Sequence, residues 1–206
     1  MTDDTIVVLT TAVCHLPLQH APDSHDTSHL AGLGILIARS ERSGWSFELS
    51  ALATSASEGE APLLEWALSS LPAEGRVIGW RLAEEVIAPL LSAAEGVEPE
   101  LSTAFLQRLY ALVTAPSDDL ALDHGGAAAL SLGRHLLTLD LAGPLLTATQ
   151  LEQAWTSGRA APILEQLKVE STALLHLWSM RAPERAELRV AMGRWLAAQR
   201  AAGLLP

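Results

Sequence analysis

Residues 76–91, RVIGWRLAEEVIAPLL, constrain the fold more than any other stretch of this chain. A short apolar run, Val77 and Ile78, passes through Gly79 and Trp80 into apolar positions Leu82, Val86 and Leu90, each four residues after the last. The first spacing suits a strand and the second a helix, so the segment predicts a β-strand feeding a helix. Pro89 belongs in the opening turns of that helix. Deeper inside, its ring would remove a hydrogen bond and clash with the preceding turn.

The remaining chain supplies partners for that strand. Residues 5–13, TIVVLTTAV, are β-branched and apolar and predict a buried first strand. A polar loop over 14–29 follows, then strands at 30–39 and 44–49 joined by a turn at 41–44. A helix is expected over 59–70, where Leu63, Leu64 and Leu68 share a face beside Trp66. Beyond Pro99 the apolar spacing is helical at 101–113, 130–139, 148–155, 163–180 and 183–202, apart from a short piece near 118–122 that suits a last strand. Three strands, a helix, a strand and then mostly helices predict an α/β fold with a mixed sheet.

At 206 residues with 49% hydrophobic content, the chain can build one substantial core. We expect a single domain over 1–206, with 182–206 as a C-terminal helix packed on it. The single cysteine, Cys14, excludes an internal disulfide and suits a reducing compartment. The N-terminus carries acids where a signal peptide carries bases, and no apolar run approaches the ~20 residues of a membrane span. A cytoplasmic protein without membrane contact is therefore expected. The net charge is −11, and the imbalance lies in residues 1–100, which hold 15 acids against 4 Lys and Arg. Such a surface repels a phosphate backbone, so avid nucleic-acid binding is disfavoured.

The segment 76–91 resembles the second motif of DEDD-type 3′–5′ exonucleases, of the ribonuclease H-like superfamily, and particularly the branch related to the exonuclease domain of family-B DNA polymerases. In that family a strand ends in V-G-x-N and is followed by F-D-x-P-x-L. Here Val77-Ile78-Gly79-Trp80 is similar to the strand and 86–91, VIAPLL, to the sequel, which sets Ile87 at the family's Asp. The first motif, v-v-F-D-x-E-T, aligns with IVVLTTAV and sets Thr10 at its Asp and Ala12 at its Glu. DDLALDHGGAAALSLGRHL resembles the family's D-L…G…s-L-x-x-L-a segment. SGRAAPILEQLKVESTALLHLWSMR resembles its last motif, and matching Arg181 to the closing Arg sets Ser171 at the last Asp. The resemblance implies a ribonuclease H-like mixed sheet of about five strands, flanked by helices, with a helical C-terminal half.

It also implies a lost activity. Such exonucleases use two divalent metals about 3.5–4 Å apart, held by carboxylates. Thr10, Ala12, Ile87 and Ser171 carry no charge, so the resemblance points to a degenerate domain without catalysis. Three nearby acids are candidate rescuers: Glu84, Glu85 and Glu170. One helical step turns a side chain by about 100°, so a neighbour does not simply replace its predecessor. Ser171 shares the inward stripe of Leu164, Leu167, Leu174 and Trp178, whereas Glu170 falls off it, and solvated helix-face glutamates are expected.

Two other groupings carry chemistry. The loop CHLPLQHAPDSHDTSH offers Cys14, His15, His20, His25 and His29 with Asp23 and Asp26, residue types that suit Zn²⁺ or Ni²⁺. The histidine spacings of five, five and four match no metal motif, and an exposed polar loop is the expectation. In the last helix Arg181, Arg185 and Arg189 form a stripe that would suit phosphate or an acidic partner. We expect a solvated face partly neutralised by Glu184 and Glu187. Two function classes follow. One is a non-catalytic binding module for a protein partner, a second copy of itself or, weakly, nucleic acid, with no cofactor. The other is a divergent exonuclease that uses Mg²⁺ or Mn²⁺ through the candidate rescuers and the acids at 118–123.

Overall fold

In the computed structural model, which describes residues 4–16, 27–138, 145–181 and 183–205, the apolar run near the N-terminus becomes the central strand. This strand, β1 (Thr5–Leu16), sends Ile6 and Val8 into one core and Val7 and Leu9 into the other. Both faces are covered, which is why its sequence is continuously apolar rather than alternating. β2 (Thr27–Glu41) pairs with it antiparallel, and β3 (Gly44–Ala53) continues beyond β2 in the same manner. On its other side β4 (Arg76–Gly79) and then β5 (Ser117–Asp119) run parallel. The order β3-β2-β1-β4-β5, with these directions, is a five-stranded mixed sheet of ribonuclease H-like architecture.

One face of the sheet carries α1 (Ala61–Ser70), α2 (Ala88–Glu95) and α3 (Pro99–Val113). Leu63, Leu64, Leu90 and Phe105 fill that layer against Val7, Leu33 and Val77. The opposite face carries α6 (Ala160–Met180), with α4 (Leu132–Thr138), α5 (Ala148–Thr156) and α7 (Ala186–Ala201) around it. Leu174, Leu175 and Trp178 of α6 pack there on Ile6, Val8, Leu36 and Ile78. The α7 helix rests on α6 and β3, where Trp195 stacks on Phe47 at 5.2 Å.

Gly32 and Gly34 of β2 set how closely α6 approaches. A Cβ at Gly32 would meet Leu167 Cδ1 at 2.9 Å, and one at Gly34 would meet Thr10 Oγ1 at 2.5 Å and Ser171 Oγ at 3.0 Å. Only glycine leaves room for the helix to lie against the sheet here. Pairing also slips between Ala12 and Val13, where Ala31 of β2 is the extra residue. Such a bulge bends a strand where a sheet edge meets a site.

The segment after β4 departs from a plain strand-to-helix joint. Arg81 adopts a left-handed conformation (φ 42°, ψ 54°), and Leu82–Ile87 then form a π-helical turn before α2 begins. Pro89 sits in the first turn of α2, as its chemistry requires. Asp119 at the end of β5 fixes the joint, because its Oδ2 accepts the Leu82 N–H at 3.0 Å and its Oδ1 that of Ala121 at 3.0 Å. Among the described residues, no helix is long and apolar enough to cross a membrane.

Candidate functional site

The middle of β1, at Thr10 and Thr11, is where three elements bring polar side chains together. Thr10 and Ser171 meet there, with their hydroxyl oxygens 2.8 Å apart. The Thr10 hydroxyl also reaches the Leu167 carbonyl at 3.4 Å. Both residues are sealed off, Thr10 at 3% and Ser171 at 0% exposure. Ala12, two residues along the same face, packs with Ile163 and Leu167 in a small apolar cluster. Thr10 and Ala12 thus both lie against α6.

Ile87 lies elsewhere. It packs against the core beneath α1, α2 and α3 and is not among the residues lining the cleft beside Thr10 and Thr11. The left-handed Arg81 and the π turn rephase the segment, since a wider turn shifts every following side chain around the axis. Glu85 and Val86 line the cleft instead. Glu84 is exposed and lines a separate depression with Arg81.

The cleft has a volume of about 200 Å³. Its polar lining comes from Thr10, Thr11, Glu85, Ser131, Gln166 and Glu170, and its apolar lining includes Val86, Leu132, Leu145, Leu146 and Leu174. Glu85 is half-buried, and Arg81 Nη1 pairs with its Oε1 at 3.3 Å. Arg81 itself is anchored by donating to the carbonyls of Ala127 (3.2 Å) and Ala129. Thr11 donates its hydroxyl to the Glu85 carbonyl, tying β1 to the π turn. Burial raises the Glu85 carboxyl above its ordinary range, with Arg81 opposing the shift.

Glu170 overturns the expectation of a solvated glutamate. It is 7% exposed and faces the cleft, where Gln166 Nε2 donates to its Oε1 at 2.9 Å. Burial pushes its carboxyl up to about 7, with the Gln166 bond opposing and Glu85 adding to the rise. The reason is the width of α6's buried arc. The helix is covered by the sheet on one side and by α4 and α5 on others, so more than one stripe points inward. A signal for this was present in the sequence. Glu170 continues Ile163, Leu167, Leu174 and Leu177 at alternating steps of four and three, the spacing of a buried seam. Gln166, Thr11 and Arg81 went unremarked in the sequence because polar residues on their own carry no periodic signal.

The remaining candidates are absorbed by the fold. Asp118 accepts the Trp178 indole N–H at 2.7 Å and pairs with Arg76 at 3.2 Å and Arg181 at 3.7 Å. Asp123 pairs with Arg181 at 2.7 Å. Arg185 stacks 3.5 Å over the Trp178 ring and donates to the Trp178 carbonyl at 2.7 Å, while Arg189 donates to the Ser179 carbonyl. The arginine stripe therefore closes the end of α6 on its own domain rather than standing as a solvated face. In the histidine-rich loop, His15 is exposed, His29 stacks on Trp155 at 5.2 Å, and His20 and His25 lie outside the described residues. Cys14 is buried, and burial together with Glu152 raises its thiol to about 11, so it stays protonated. Among the described residues no three His, Cys, Asp or Glu side chains are grouped so as to hold a metal ion.

Two divalent cations do not fit the positions at which the exonuclease resemblance would seat them. Thr10, Ala12 and Ser171 are buried and neutral, Ile87 is turned into the core, and the cleft offers only Glu85 and Glu170. Fold and site together define an α/β protein with a ribonuclease H-like sheet and a two-carboxylate cleft. No family model matches the chain, and no curated protein matches it.

Proposed function

We propose that this protein is a non-catalytic, exonuclease-like binding module, related in architecture to DEDD-type 3′–5′ exonucleases and working without a metal cofactor. The observation that carries this reading is the Thr10–Ser171 hydroxyl contact at 2.8 Å inside a fully buried pocket of the sheet–helix interface. Metal-assisted phosphodiester cleavage requires oxyanion ligands that face solvent and substrate. Two neutral hydroxyls satisfying one another in the core supply neither charge nor access. The acidic N-terminal half adds repulsion against a nucleic-acid backbone. We place the protein's role in binding a partner, in the cytoplasm.

A second reading rests on a different observation: Glu85 and Glu170 share one cleft beside Thr10 and Thr11 of β1. In a divergent Mg²⁺- or Mn²⁺-dependent exonuclease these two acids would replace the four of the family. The deciding experiment incubates purified protein with single-stranded DNA, double-stranded DNA and RNA in Mg²⁺ or Mn²⁺. No degradation above background is expected. Degradation that disappears in Glu85→Gln or Glu170→Gln would instead establish the divergent enzyme.

A further inference from the structure

Resting on the binding-module reading, we propose that the Glu85–Glu170 cleft is a binding site for an alkyl cation, a primary ammonium or guanidinium carried on an aliphatic stem. Three observations converge on this chemistry. First, Glu170 is almost wholly buried, yet among the described residues no cation pairs with it, and its one hydrogen bond is the neutral donor Gln166 at Oε1. A buried carboxylate without a counter-charge is costly, and a bound cation offsets that cost. Second, Arg81 answers Glu85 at one oxygen only, Oε1, at 3.3 Å, and its other terminal nitrogen, Nη2, is held by backbone carbonyls. The pair of carboxylates thus carries more negative charge than its one cationic neighbour neutralises.

Third, apolar side chains form part of the cleft wall. Val86, Leu132 and Leu174 line it beside the carboxylates. A divalent ion keeps about six oxygen ligands, several of them water, and gains nothing from leucine walls. An aliphatic stem does, because each methylene it buries leaves water. The volume of about 200 Å³ sets the size. It falls below the roughly 300–1,000 Å³ of sites for drug-sized ligands, and suits a small amine or one lysine or arginine side chain.

Calorimetry on the full chain at about pH 8, above the value of about 7 to which burial pushes Glu170, tests this with n-butylguanidinium, n-butylammonium and the neutral n-butanol. The two cations should bind one to one and n-butanol should not. Glu170→Gln and Glu85→Gln should each weaken binding about tenfold or more. Glu85 is half-exposed, so its variant stays informative even if Glu170→Gln folds poorly. A blocked pentapeptide with a central arginine forms the last arm. Binding at least as tight as n-butylguanidinium assigns the cation to a partner's side chain, and tighter binding of the free cation assigns it to a small molecule. No saturable binding of either cation, binding indifferent to both substitutions, or Mg²⁺ or Mn²⁺ binding abolished by them would overturn the proposal. Nuclease activity beside intact cation binding would overturn the non-catalytic reading alone. Absent cation binding without nuclease activity would overturn the ligand assignment alone.

Discussion

Glu170 is a carboxylate that the fold holds better as an acid than as an anion, and this has a measurable consequence. Its carboxyl moves from an ordinary 4.5 to about 7. A raised carboxyl contributes its full stability below its unfolded value, and that contribution is lost as pH rises through the folded value. Between pH 4.5 and 7 the group therefore costs the fold roughly 3 kcal/mol, at about 1.4 kcal/mol per pH unit. Glu85 faces it, with Arg81, Glu84 and Asp119 acting on Glu85 in turn. Glu170→Gln should leave stability near wild type in acid and raise it by about 2–3 kcal/mol at neutral pH and above. Urea unfolding at both ends of that window checks the sign, and an equal effect at both would show that Glu170 is not held protonated. Ser171→Ala is simpler. It removes one side of a buried hydroxyl pair and should destabilise by about 1 kcal/mol in urea unfolding, with no dependence on pH.

At the scale of elements, the fold and the site were legible to different degrees. The β-branched run at 5–13, the hairpin and the strand at 76–79 were readable because apolar side chains on two covered faces leave a continuous hydrophobic record. The joint after β4 was not. The conformation of Arg81 and the π turn are set by Asp119, Ala127 and Ala129, distant groups that local spacing does not reveal. A rephased turn carried Glu85 rather than Ile87 to the cleft, and the breadth of α6's packing carried Glu170 there too. Arg81 offers a direct test of the joint. Left-handed backbone costs a non-glycine residue about 1–2 kcal/mol, which glycine avoids. Both Arg81→Ala and Arg81→Gly lose the side-chain bonds, so Arg81→Gly should be the more stable of the two by about 1 kcal/mol in chemical denaturation. Gly34→Ala tests the close approach of α6. Its Cβ would press on Thr10 and Ser171, and a loss of about 1–3 kcal/mol is expected, measured as a lower denaturation midpoint.

For the whole molecule, the sheet order is that of a ribonuclease H-like α/β fold, and where α6 crosses that sheet Thr10 and Ser171 pair inside a packed core. Fold does not confer activity, and the groups at the site decide it. Titrating Mn²⁺ into the protein and following the free ion by electron paramagnetic resonance addresses that centre directly. With buried hydroxyls at Thr10 and Ser171, and only two carboxylates in the cleft, the free Mn²⁺ signal should match that of buffer at every addition. Saturable loss of the signal, restored by the double substitution Glu85→Gln and Glu170→Gln, would contradict the non-catalytic reading and place a metal in the Glu85–Glu170 cleft.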